Sequence, residues 1–484
     1  VCILFGLVFQ VSGTVKGACF FQSSLSSFSR HAGQVAVDIV STADGKVLFD
    51  NNAEKPLVPA SLVKILTTHA ALKSLGPHHR FETVLYVDRS IQGNILPGDL
   101  WIRSKGDIFL TGEKAWKMAH RLRAAGIERI EGDIVVDNHH FDPSMEHICI
   151  DERCSRPYNP VISGTALDFN TITFSVVPGA MAGEPGRVTW FPRSEYVLLK
   201  NQSRTVGGRP EQNLHLFSGG AKEDGREGFV LAGEISLSSG EPLEFTLNIQ
   251  NPWAFFGHSF KRTLKETGVR VQGGVRPGKV PSRALPLVVH ESEPLGDLLF
   301  GLNRFSNNFM AEMLLRALGA KVYGEPGTKQ KGIRVVEGHL RSMGISPSGF
   351  SIDSGSGLSR LCGVSARAFS RILVDFHHDF DHGPKFMASL AMNGHTGTLR
   401  RRLRESPVTL RGKTGSLRDV VAFSGYVHAP GEEILAVTVL LNDVKNSREA
   451  REVLYRFLEQ LPSNLKELPR GGVSLKNASI DLPS

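Results

Sequence analysis

Three short runs of this sequence carry side chains suited to acyl transfer. The first is Pro59-Ala60-Ser61-Leu62-Val63-Lys64. A serine hydroxyl is a poor nucleophile until a nearby base takes its proton. A lysine can be that base only when burial or a neighbouring cation lowers its pKa. On a helix, Lys64 would lie one turn above Ser61 on the same face. The second run, Ser306-Asn307-Asn308, offers a hydroxyl and an amide. The third, Lys413-Thr414-Gly415-Ser416, has side chains that can bind a carboxylate and a glycine that lets a substrate backbone approach. Each run is weak alone. Composition gives about two Ser-x-x-Lys matches by accident in a chain this long, and a second one, Ser463-Asn464-Leu465-Lys466, is present. Taken singly, Ser61 and Ser306 read as helix caps, Lys64 as a solvated charge and Gly415 as a bend. All three runs in this order, each beside a suitable element, point to a site.

Those elements follow from periodicity. Ile65, Leu66, Ala70, Leu72 and Leu75 recur near helical period and Gly76-Pro77 stops them, so Ser61 is expected at the first turn of a helix. Unpaired N–H groups at that turn can face a developing oxyanion. Ahead of it, residues 35–40 and 46–49 flank Ala43-Asp44-Gly45 as a β-hairpin. From 81 to 249, short strand-like runs (81–87, 100–103, 134–137, 171–177, 196–199, 229–231, 243–249) alternate with turn clusters. A helix over 116–125 interrupts them and another over 254–267 follows. From Pro294 helices dominate. One apolar face runs from Phe309 to Leu318 and is expected to end at Gly319, and further helices are read over 332–342 and 365–376. Strands over 420–427 and 434–441 and a last amphipathic helix, broken at Pro462, close the pattern, with the third run between strand-like segments.

A chain of 484 residues has room for about three domains. Its 41% hydrophobic and 21% charged content is that of a globular protein. The net charge of +8 is modest, and no basic run interleaved with aromatics suggests a nucleic-acid partner. The apolar residues 1–9 are too few to span a bilayer comfortably, and small residues follow at Gly17-Ala18. Residues 1–18 therefore read as signal-peptide-like, with export expected and no transmembrane span in the mature chain. Lys16-Gly17-Ala18 argues against a lipid anchor on Cys19. Five cysteines do not make a disulfide framework, although Cys149 and Cys154 are close enough to pair. Cys362 reads as a small buried filler. His139-His140 lacks a helical His-Glu-x-x-His context and reads as a polar loop, so no metal or other cofactor is expected.

With these motifs in hand, the chain resembles the D-alanyl-D-alanine carboxypeptidases/endopeptidases of the low-molecular-mass class C penicillin-binding proteins. The resemblance covers roughly residues 35 to 445. Besides the three runs it includes Tyr158-Asn-Pro with Phe169-Asn170, Asn303-Arg-Phe-Ser-Asn-Asn-Phe-Met-Ala-Glu312, Asp353-Ser-Gly-Ser-Gly-Leu-Ser and Gly394-His-Thr-Gly-Thr-Leu-Arg. The long separation of Ser61 from Ser306 also fits, because this family inserts domains there. Two positions depart from the pattern: Asn307 stands where Asp is more usual, and Ser416 replaces a common Thr. Neither removes a required functional group.

The resemblance implies an α+β fold. A discontinuous serine β-lactamase/transpeptidase-like domain (30–80 and 286–462), with an antiparallel sheet and helices, would carry a β-rich insertion (81–165 and 240–285). A smaller domain (166–239) would be nested in the insertion, and residues 463–484 would form a tail. It further implies that Ser61 attacks the carbonyl between two terminal D-alanines and that Lys64 takes its proton, kept neutral by burial and by the Lys413 cation. Ser306 would relay that proton to the leaving amine, and Asn308 would orient the substrate amide and Lys64. Lys413, Thr414, Gly415 and Ser416 would hold the terminal carboxylate, and the backbone N–H groups of Ser61 and Ser416 would form the oxyanion hole. The expected partners are peptidoglycan peptides and β-lactam antibiotics, in the periplasm or another extracytoplasmic space. Three rivals stay open at this point: a secreted serine β-lactamase, a non-enzymatic wall-binding scaffold, and a peptidase of another substrate class.

Overall fold

The computed structural model describes residues 12–142, 144, 146–208, 213–465 and 473–474. The signal-peptide-like segment lies outside the described residues as far as residue 11, and residues 12–18 belong to the helix Ser12–His31. The chain forms two compact units. Of the described residues, one holds those through Pro77, then Leu299–Ser306 and those from Val336 onward; the other holds those within His78–Leu298 and Asn307–Val335.

The first unit is built on a seven-stranded sheet. Its order is Ala391–Met392, Thr409–Leu417, Val420–His428, Leu435–Val444, Ala32–Ser41, Val47–Asn51 and Val473–Ser474. All neighbours are antiparallel except the last pair. The expected hairpin is present, with Ile39 opposite Phe49, and its first strand also pairs Val37 with Val439. Helices cover both faces of this sheet, which is why its central strands read as continuous apolar runs rather than alternating ones. On one face Phe20 of helix Ser12–His31 stacks on Phe457 of helix Ser447–Leu465 at 5.6 Å, over Val37, Val437 and Val439. On the other face lies helix Ala366–His378, where Ser370, Thr438 and Ser424 form a buried hydroxyl chain. Arg367 donates to the Asp38 carboxylate at 3.0 Å on that face. Burial nonetheless pushes the Asp38 carboxyl up to about 6.

The second unit contains a mixed five-stranded sheet in the order Val275–Pro277, Ile134–Asp137, Leu100–Ser104, Glu82–Val87, Leu285–Glu291. Helices Gly112–Ala124 and Pro252–Glu266 pack on it. Phe174, Tyr196 and Phe229, from the 166–239 segment, share one buried cluster with Ile102, Val136 and Phe256. Residues 307–335 fall in this unit rather than with the flanking helical segments. Phe309 packs edge-on against Phe169, and Arg316 pairs with Glu146.

Two of the helix stops expected from the sequence are overrun. The helix starting at Asn308 does not stop at Gly319 but continues to Tyr323. Gly319 is there for contact, since a Cβ on it would meet the Gly332 backbone nitrogen at 2.8 Å. Close packing with the neighbouring helix overrides the low helix propensity of glycine. The last helix likewise runs past Pro462 to Leu465, because buried Leu458 and Leu461 hold its final turns against the core. Ser463 therefore lies on an exposed helix end, donating to the Gln460 carbonyl at 2.9 Å, and Lys466 falls outside the described residues.

Candidate active site

Ser61 sits in a 3-10 turn, Ala60–Leu62, that leads into helix Val63–Leu75. Three contacts fix this turn. Asn442, on strand Leu435–Val444, accepts the Val58 N–H at 2.8 Å and donates to the Val58 carbonyl at 3.0 Å. Gly357 approaches so closely that a Cβ there would lie 1.9 Å from the Ala60 carbonyl oxygen. A Cβ on Gly415 would lie 2.7 Å from the Pro59 carbonyl oxygen. The loop 353–359 and the strand Thr409–Leu417 thus both clasp the turn. Ala60 itself is held at φ +49°, a left-handed conformation that costs energy for a residue with a Cβ and persists only when its surroundings impose it.

Lys64 is fully buried one turn along. Its Nζ donates to Ser61 Oγ at 3.0 Å and to the Ser356 carbonyl at 2.6 Å. Thr67, a turn-mate of Lys64, donates to the Gly355 carbonyl at 2.8 Å. The loop therefore presents successive carbonyls to one helix face.

The second and third motifs meet each other. Lys413 Nζ donates to Ser306 Oγ at 2.8 Å and to the Thr414 carbonyl at 2.9 Å. Lys413 is fully buried, and burial pushes its ammonium down to about 7. This qualifies the expected fixed cation at Lys413, which near neutral pH is only partly charged. Ser306 is not the helix cap, contrary to its plain reading. Asn307 takes that role by accepting the Met310 N–H at 3.0 Å, and Ser306, at φ +58°, turns its hydroxyl to Lys413. Just upstream, buried Asn303 donates to Ser389 Oγ at 2.8 Å, and Arg304 donates to the Ala388 carbonyl at 2.7 Å. The third motif lies inside a strand, not between strands as expected. Lys413 is paired with Ser424 and Thr414 with Phe423, so successive side chains leave opposite faces.

The remaining candidates have other partners. Thr414 Oγ1 donates to Thr398 Oγ1 at 2.9 Å. Ser416 is exposed, and its hydroxyl accepts from Arg451 at 3.3 Å. Asn308, in the second unit, donates to the Tyr158 carbonyl at 2.8 Å. Glu312 is buried and paired with Arg316 at 3.2 Å. His139 and His140 are engaged by Asp137 and Glu325, each at 2.9 Å. Cys149 and Cys154 form a disulfide, and Cys362 is buried. Sequence reasoning gave no role to the Ser356 carbonyl, to Gly357, or to Asn303 and Thr398. Their only signal was membership of the longer motifs around 303, 353 and 394.

Residues 25–461 match the family model described as D-Ala-D-Ala carboxypeptidase 3 (S13) family. The chain belongs to this family. A D-alanyl-D-alanine carboxypeptidase of Actinomadura sp. (strain R39) is 31% identical over 428 residues, covering 84% of this chain and 77% of that protein. The D-alanyl-D-alanine carboxypeptidase DacB of Haemophilus influenzae is 27% identical over 409 residues, covering 81% of this chain and 82% of the relative. Among solved structures, penicillin-binding protein 4 (dacB) from Haemophilus influenzae superposes with a TM-score of 0.77 at 23% identity. That match covers 91% of this chain and 99% of the other, and places the mixed helix-and-sheet fold with it. As a member of the S13 family, the chain is a serine-type hydrolase of the D-Ala-D-Ala carboxypeptidase class. Among the described residues, no helix is long and apolar enough to cross a membrane.

Proposed function

We propose that Ser61 is the acylated nucleophile of this S13 enzyme and that Lys64 is its base, acting on peptidoglycan stem peptides ending in D-Ala-D-Ala. The observation that carries the reading is the 3.0 Å approach of buried Lys64 Nζ to Ser61 Oγ. A neutral amine can donate an N–H to the Ser356 carbonyl while turning its lone pair to the Ser61 hydroxyl, which then attacks the scissile carbonyl. The Ser61 Oγ–carbon bond forms, and the carbon–nitrogen bond to the terminal D-alanine breaks. The proton taken from Ser61 reaches the leaving amine through Ser306, whose hydroxyl is held by Lys413. Water then hydrolyses the Ser61 ester and restores the enzyme.

Substrate placement follows from the sheet edge. The short strand Ala391–Met392 pairs only with Gly412 and Arg411. Among the described residues, no strand covers that edge of Lys413–Leu417, and an extended peptide can pair along it. Lys413, Thr414 and Ser416 would hold the terminal carboxylate, with Gly415 admitting the backbone. The N–H groups of Ser61 and Ser416 would face the oxyanion. Asn308 would orient the substrate amide. β-Lactams, as acylating analogues of the dipeptide, would label Ser61. The substrate lies outside the cytoplasmic membrane, and the Cys149–Cys154 disulfide suits an oxidising, extracytoplasmic compartment reached by an exported chain.

Peptide mapping after benzylpenicillin treatment tests this reading. The adduct is expected on Ser61 and should vanish in Ser61→Ala, while Lys64→Ala should slow acylation by about 10²–10⁴-fold. An adduct on any other serine, Ser463 included, would overturn the assignment. Digestion of purified muropeptides then separates release of free D-alanine from cleavage of cross-links.

A further inference from the structure

Arg451, on the last helix of the first unit, has no part in the roles above, yet it touches one of the residues that do. The helix Ser447–Leu465 is seated in the core through Leu454, Phe457 and Leu458, which fixes the position of Arg451 on its half-buried side. Its guanidinium donates to Ser416 Oγ at 3.3 Å. A hydroxyl whose oxygen accepts from a guanidinium keeps its own O–H to donate elsewhere, and here Ser416 is exposed beside the open sheet edge.

The acidic residues nearest Arg451 on its helix are already engaged. Glu449 pairs with His31 at 3.4 Å and accepts from Asn446 at 2.8 Å, and Glu452 pairs with Arg448 at 3.3 Å. Arg451 enters no ion pair among the described residues. Arg402 lies over the ring of Tyr455, one turn along the same helix, at 5.4 Å, and both guanidinium groups act on that phenol, so the neighbourhood is cationic as well.

We infer that Arg451 is a carboxylate-binding residue of this enzyme, supplying a permanent cation and an aligned Ser416 hydroxyl to the carboxylate next to the scissile amide. The inference rests on the placement of that carboxylate at Ser416 proposed above. It supplies something the rest of the site lacks. Burial leaves Lys413 only partly charged near neutral pH, whereas a guanidinium stays charged throughout. The guanidinium also offers several donors in one plane, suited to a carboxylate.

The test compares benzylpenicillin with its methyl ester, and a peptide ending in D-Ala-D-Ala, on wild type and on Arg451→Ala and Arg451→Lys. Arg451→Ala is expected to lower kcat/KM for the peptide about 10–100-fold, chiefly through KM, as befits loss of a charge-assisted hydrogen bond. Acylation by benzylpenicillin should fall similarly while acylation by the ester barely changes, and Arg451→Lys should recover part of the loss. Equal losses with acid and ester, or a KM within twofold of wild type, would overturn the inference. Should wild type be acylated by penicillin yet leave the peptide intact, the peptidase reading fails instead. The acid-to-ester comparison still judges Arg451 in that case.

Discussion

The Asn307 side chain accepts the backbone N–H of Met310 at 3.0 Å, which places the helix cap one residue after Ser306 and leaves the Ser306 hydroxyl to Lys413. Asp and Asn cap helices about equally well, so the departure from the family's usual Asp at this position is structurally neutral. Asn307→Asp should therefore melt near wild type and keep penicillin acylation. Asn307→Ala should lose about 1 kcal/mol in denaturant titration. A stable Asn307→Ala protein would mean that the cap does not hold this segment.

How much of this was legible in the sequence depends on what kind of group does the work. Ser61, Lys64, Ser306 and Lys413 are side chains at motif spacing, and the pairs Ser61–Lys64 and Ser306–Lys413 are in hydrogen-bond contact. The Ser356 carbonyl that receives Lys64 is a backbone group, and any residue type would supply it. The cap was ambiguous because three consecutive residues, Ser306, Asn307 and Asn308, can all cap a helix; only the fold decides among them. Gly319 and Pro462 misled for a related reason. Local propensity says stop, while packing against Gly332 and the burial of Leu461 say continue. The central strands and the hairpin are readable because their apolar runs are bounded by turn residues. The third motif does not read as a strand because Lys413 and Gly415 are types depleted in strands, and Thr414 alone carries strand signal.

Gly357 and Gly76 give a matched comparison. Both have positive φ, +83° and +81°, so an alanine is strained at either. Gly76 has nothing within 4 Å of a new Cβ, whereas at Gly357 that atom would lie 1.9 Å from the Ala60 carbonyl oxygen and 3.0 Å from the Ser61 nitrogen. Gly76→Ala should cost about 1–3 kcal/mol, since φ +81° with ψ +158° is a region open essentially to glycine alone, and leave acylation intact. Gly357→Ala should destabilise more and lose most penicillin labelling, because the turn carrying Ser61 must move. Equal labelling by the two variants would show that the clasp is not needed.

Lys413 makes a pH-dependent demand on stability. Burial lowers its folded pKa to about 7, from the ordinary lysine value of 10.5. Below pH 7 both folded and unfolded chains carry the charge, and the folded one bears the desolvation cost. Between about 7 and 10.5 the unfolded chain binds more protons, so this group's contribution to stability rises with pH. Lys413→Met removes the charge and should be more stable relative to wild type at pH 6 than at pH 9.5, while losing peptide turnover. Parallel melting curves across that range would show that the ammonium is not desolvated.

The fate of a bound penicillin separates a peptidase from a β-lactamase. Both acylate a serine, and only the β-lactamase then clears the ester quickly, which needs a base to activate water on the ester's open face. Glu312, the acidic residue nearest the second motif in sequence, is fully buried and paired with Arg316 at 3.2 Å; Arg316 in turn pairs with Glu146. A fully buried carboxylate already tied to a guanidinium is poorly placed to take a proton from water, since doing so gives up its charge in that pair. Penicillin should therefore leave an adduct on Ser61 that persists for minutes or longer, while a peptide ending in D-Ala-D-Ala is turned over by the same preparation. Intact-mass spectrometry after a short penicillin pulse gives the answer. An adduct that clears within seconds, with the peptide untouched, would make the enzyme a β-lactamase.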